Sequence, residues 1–132
     1  MKIEHIGFNV THPTEMGEWY AENFDLKIVH KLNIPPYNHY LANEHGAVML
    51  ELYYSPTDEV LDFLKMDPLV VHIAFATDDP DGDKRNLISA GATLLNENHF
   101  EDNSLLITMR DPWGFPFQLC RRSLSILKKM IK

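Results

Sequence analysis

IEHIGF, residues 3–8, and VVHIAF, residues 70–75, are nearly the same phrase written twice, and each puts a histidine into a run otherwise fit for a buried strand. An imidazole left unpaired in apolar surroundings costs about 1–3 kcal/mol, so His5 and His72 each need a partner or a task. Sliding the chain by the 67 residues that separate them lays Ile6 on Ile73, Gly7 on Ala74 and Phe8 on Phe75. The same offset carries Pro13 to Pro80, Glu51 to Gln118 and Leu52 to Leu119. One offset shared by both ends of a unit indicates an internal duplication. The expected organisation is one domain over residues 1–132 with two modules, about 1–56 and 68–122, a linker over 57–67 and a basic helix over 123–132.

Each module presents its signals in one order. Module one opens with the strand-like KIEHIGFNV, then HPTEMGEWYAENF, where Met16, Trp19, Tyr20 and Phe24 recur at helical steps behind Pro13. Three extended stretches follow, KIVHKLNI, NHYLA and AVMLELYY, separated by the turn signals PPYN and NEHG. Module two repeats this with LVVHIAFAT, a helix through PDGDKRNLISAG, then TLLNEN, SLLITMR and FPFQLCRR. The fold class is therefore α+β, two βαβββ modules. Pro112 and Gly114 in RDPWGFP set up a tight turn into the last strand.

Composition bounds the rest. Of 132 residues, 45% are apolar and 23% charged, as in ordinary globular domains, and no run approaches the roughly 18 apolar residues of a membrane span. The start MKIEHIGF lacks a signal peptide's apolar stretch, and a lone Cys120 fits a reducing compartment, so the cytosol is expected. A net charge of −7 argues against nucleic acid as partner. The basic tail RRSLSILKKMIK carries Leu124, Leu127 and Ile131 at helical spacing; docking on the body is the expected role, and a membrane or partner-binding tail is the alternative.

Strand parity gives the repeat its chemistry. Alternate residues of a strand share a face, so His5, Gly7 and Asn9 oppose Ile6, Phe8 and Val10, and His72, Ala74 and Ala76 oppose Val71, Ile73 and Phe75. Glu51 and Gln118 likewise leave the face held by the large apolar residues of their strands. Two imidazoles, a carboxylate and an amide converging from two modules would make a divalent metal site, suited to Zn, Ni, Fe, Mn or Co, with two octahedral positions left for a substrate bearing neighbouring oxygens. The ion would act as a Lewis acid, polarising a carbonyl or stabilising an enolate, and Glu51 would be the base. Asn9, His39, Tyr53 and Cys120 are the candidates for substrate contact, with Tyr40 beside them.

The stretches EHIGFNV, VHIAFATDD, MLELYY and RDPWGFPFQL resemble the vicinal oxygen chelate superfamily, which holds glyoxalase I, extradiol dioxygenases and bleomycin resistance proteins. The resemblance runs to about residue 122 and is closest in layout to bacterial glyoxalase I. It implies that each module curls into a cupped half-barrel with its helix outside, that the metal ligands are His5, Glu51, His72 and Gln118, and that the site lies in a cavity often shared by two chains. Two departures bear on chemistry. Asn9 stands where an arginine that grips glutathione is usual, and Gln118 stands where a glutamate is usual, so glutathione is not expected. The expectation is a glyoxalase-type lyase or isomerase acting on a small carbonyl compound. Its rivals are a non-catalytic antibiotic-binding protein and an Fe(II) extradiol dioxygenase. Unpaired sheet edges favour a homodimer.

Overall fold

A matched proline, Pro13 and Pro80, and apolar periodicity at matching places fold twice into the same motif. The computed structural model describes residues 1–126 and divides the chain into two compact units, the first Met1–Leu61 and the second beginning at Asp62. The first unit runs β1 (His5–Asn9), α1 (Pro13–Asn23), β2 (Lys27–Lys31), β3 (His39–Ala42) and β4 (Met49–Tyr53). The second runs β5 (Ile73–Ala76), α2 (Pro80–Ser89), β6 (Thr93–His99), β7 (Leu105–Arg110) and β8 (Pro116–Arg121), with a short 3-10 turn at Phe63–Lys65 ahead of them.

Each unit holds a four-stranded mixed sheet, ordered β1-β4-β3-β2 in the first and β5-β8-β7-β6 in the second, and neither sheet closes on itself. The parallel pair sets Gly7 opposite Glu51 in one and Ala74 opposite Gln118 in the other, so the 67-residue offset survives in the hydrogen-bond register. Even the bulge in the antiparallel hairpin recurs, at Val29 in β2 and Leu95 in β6, one residue out of step. Each helix packs on its own sheet, α1 against β3, β2 and β4, and α2 against β8, β6 and β7. The cores follow from the alternation: Leu41 and Leu52 are buried with Met16 and Tyr20 in the first unit, and Ile107, Met109, Phe117 and Leu119 with Leu87 in the second.

The loop before β8 is built tightly. Asp111 is buried and its Oδ1 accepts from the backbone N–H groups of Trp113 and Phe115, both at 2.9 Å. Gly114 sits at φ +90°, and a Cβ there would lie 2.9 Å from Cβ of Leu64. Arg110 donates to the carbonyls of Phe63 and Met66, each at 2.7 Å, and the rings of Phe63 and Phe115 meet at 4.8 Å. Part of the segment read from the sequence as linker is thus fastened to the second unit.

Two expectations change. The strand read over 69–77 starts only at Ile73, because Asp67 and Pro68 open a turn: Val70 donates to the Asp67 carbonyl at 2.9 Å and Leu69 to its side chain at 2.8 Å. The helix read over 123–132 does not include Ser123–Ser125, which form a bend tied back by Ser123 to Ser104 and Asp102. The rest of that helix, residues 127–132, lies outside the described residues.

Candidate functional site

Glu51 occupies the middle of β4, flanked by Gly7 on β1 and Tyr40 on β3. The absent side chain at Gly7 makes room, since a Cβ there would meet the Tyr53 ring at 3.2 Å and Glu51 Oε2 at 3.7 Å. Glu51 Oε2 lies 3.0 Å from His5 Nε2, and its Oε1 accepts from Asn38 Nδ2 at 2.7 Å. His5 Nδ1 is in turn 2.9 Å from Glu4 Oε1. The Tyr40 phenol is pushed above its ordinary pKa by burial first, then by the charge of Glu51 and a hydrogen bond to it, so it remains a donor throughout the neutral range. Its ring meets His5 edge-on at 5.9 Å and His30 at 5.8 Å.

In the second unit Gln118 is half-buried opposite Ala74, and its Nε2 donates to Thr108 Oγ1 at 3.3 Å. His72 is exposed just ahead of β5, with Nδ1 held by the Pro68 carbonyl at 2.7 Å. Cys120 is buried beside a cavity of about 700 Å³ that Ala74, Ala76 and Arg122 also line. Burial pushes its thiol up, against an opposing pull from Arg122.

A donor set can be tested against a metal by what holds its other atoms, since ligating side chains are oriented by hydrogen bonds from behind. His5 is held at Nδ1 and His72 at Nδ1, Glu51 at Oε1 and Gln118 at its amide nitrogen, while His5 Nε2 and Glu51 Oε2 lie 3.0 Å apart and engage each other. Among the described residues, no group of three or more His, Cys, Asp or Glu side chains gathers as a metal cluster.

Two of the expected substrate contacts are committed elsewhere. Asn9 accepts from Ser55 N at 2.8 Å and donates to the carbonyls of Ser55 and Glu59, both at 3.1 Å, so its amide ties β1 to the loop after β4. His39 alternates with Tyr40 and faces α1, buried, with its ring against Gly17. Tyr53 does lie on the Glu51 face. Tyr40, a candidate from the sequence, lies beside Glu51, and Asn38 is what the site adds. The sequence carried a signal for Tyr40, its alternation with His39, but only the register with β4 tells which of the two faces Glu51.

The chain belongs to the glyoxalase-like domain family, whose model matches residues 5–120, and with it to the vicinal oxygen chelate superfamily. Solved structures share the fold. A glyoxalase family protein from Bacillus cereus superposes with a TM-score of 0.70 at 16% identity, covering 92% of this chain and 92% of its own. A glyoxalase/bleomycin resistance protein/dioxygenase family enzyme from Burkholderia phytofirmans PsJN gives 0.70 at 14%, covering 92% and 98%. An antibiotic-binding protein from Streptomyces sp. CB03234 gives 0.66 at 17%, covering 93% and 97%. At such identities the likeness is one of fold. No curated protein matches the sequence.

Proposed function

We propose that the protein is a metal-dependent lyase or isomerase acting on a small carbonyl compound, with His5 and Glu51 of the first unit and His72 and Gln118 of the second as donors to its divalent cation. What supports this reading is the meeting of His5 Nε2 and Glu51 Oε2 at 3.0 Å, with His5 held from behind at Nδ1 by Glu4 and Glu51 at Oε1 by Asn38. When bound, the cation would supply Lewis-acid polarisation of the carbonyl oxygen. Glu51 removes the proton beside that carbonyl and returns it, a step Gln118 cannot share because an amide accepts no proton at neutral pH. Asn38 and Tyr40 orient the Glu51 carboxylate. Asn9, spent on backbone, offers nothing to a glutathione carboxylate. The open sheet edges favour a homodimer, and a single buried thiol suits the cytosol.

A second reading, a protein that binds a small molecule or antibiotic without turning it over, is favoured by the crowding of Glu51: His5, Asn38 and Tyr40 occupy its carboxylate and leave less of it for a substrate proton. Metal content decides for the first reading. Protein purified without chelator is expected to hold about one ion per folded chain and to lose most of it in both His5→Ala and His72→Ala. Equal content in all three overturns the donor set.

A further inference from the structure

Beside the His5–Glu51 pair the first unit has a cavity of about 490 Å³ walled by Glu4, His30, Leu32, Asn38, Tyr40 and Met49. None of the six is a lysine or arginine. Glu4 uses Oε1 on His5, and its Oε2 makes no hydrogen bond among the described residues. The rings of Tyr40 and His30 stand 5.8 Å apart at 50°, so two π-systems wall the space, and Leu32 and Met49 complete it with apolar surface. Charge over the whole unit points the same way. Residues 1–61 contain three lysines against nine Asp and Glu, a net of −6 out of the chain's −7.

We infer that this cavity takes the cationic head of a small organic ammonium compound, by the juxtaposition of the Glu4 carboxylate with the Tyr40 and His30 rings where no lysine or arginine competes. A cation gains from the ring quadrupoles and from the carboxylates together, whereas an anion meets like charge at Glu4 with no lysine or arginine to offset it. The inference rests on the reading that the Glu51 face is the ligand face, and it names the class of ligand that face selects. Leu32 and Met49 call for an apolar body attached to the charged head.

Calorimetric titration of chelator-treated full-length protein with benzyltrimethylammonium, benzyl alcohol and benzoate tests it, because the three share a ring and differ in charge. The ammonium is expected to bind at least about tenfold tighter than benzoate, and to weaken as sodium chloride is added. Glu4→Gln, at an exposed position, and Tyr40→Leu are each expected to weaken it about threefold or more. Benzoate binding as well as the ammonium, or ammonium affinity unchanged in both variants, overturns the proposal. Metal content keeps this separate from the donor set. Protein that retains metal but shows no preference for the ammonium refutes the pocket alone, and protein that binds the ammonium but retains no metal supports the pocket while refuting the donors.

Discussion

His39 is 1% exposed, its Nδ1 donates to the Tyr37 carbonyl at 2.7 Å, and its ring fills the space that a side chain at Gly17 would need. Alanine at Gly17 would gain about 1 kcal/mol of helix propensity, but its Cβ would lie 3.1–3.3 Å from three atoms of His39 in a place where neither neighbour can retreat. Overpacking of that kind costs about 1–3 kcal/mol, so Gly17→Ala is expected to lower the urea midpoint with an unchanged slope. An unshifted midpoint would mean that the ring yields freely. Cys120 carries the pH-dependent counterpart. Its folded pKa is raised by burial, so its contribution to stability is complete below the unfolded thiol pKa and is lost as pH rises through the folded value. Stability is therefore expected to fall above about pH 8.5, and a Cys120→Ala variant, melted across the same range, to lose that part of the fall. Residue types alone did not separate His39 from His5 and His72. All three look alike in sequence, and what distinguishes them is place: His5 and His39 fall on opposite faces of their sheet, a matter of pairing with a strand distant in sequence, while His72 stands ahead of β5 and on no strand.

Corresponding helices differ at their first residue, and the difference is measurable. Asp79 caps α2, accepting from Gly82 N at 3.1 Å, while His12, the residue 67 positions earlier, precedes α1 with no side-chain capping bond. Copying the second unit into the first by His12→Asp is expected to raise stability by about 0.5–1 kcal/mol, and Asp79→Ala to cost about 1 kcal/mol. Thermal melts check both, and equal midpoints for His12→Asp and wild type would mean that the α1 entry geometry forbids the cap. At this scale the sequence was most legible. Every strand and helix of the first unit reappears in the second close to the same offset, because the apolar period that a strand or helix needs is written locally. The miss at residues 69–72 was local too: the apolar run LVV outweighed the Asp67-Pro68 pair, a turn signal that prevailed by giving Leu69 N an acceptor. The cradle of Arg110, Asp111 and Gly114 was legible only in part. Pro112 and Gly114 announce a turn, but nothing in the sequence says that Leu64 lies against it.

Over the whole chain, charge is the property the sequence states outright and the fold then distributes. The first unit's excess of six negative charges must repel itself, and monovalent salt should relieve that by screening, raising the melting temperature modestly as sodium chloride goes from near zero to about 0.2 M. On the proposed reading, a divalent ion held by His5, Glu51, His72 and Gln118 would act differently, because its effect would follow site occupancy. At a free concentration about a hundred times its dissociation constant it would stabilise the folded chain by about 2.7 kcal/mol while leaving the ionic strength unchanged. Micromolar zinc or nickel is therefore expected to raise the melting temperature of chelator-stripped wild type by several degrees, and sodium chloride at the same ionic strength to do nothing. The same additions to His5→Ala and to His72→Ala should give a much smaller rise, while the response of both variants to 0.2 M salt stays like that of wild type. If zinc and nickel stabilise all three proteins equally, they are screening surface carboxylates, and the four donors do not act together on an ion.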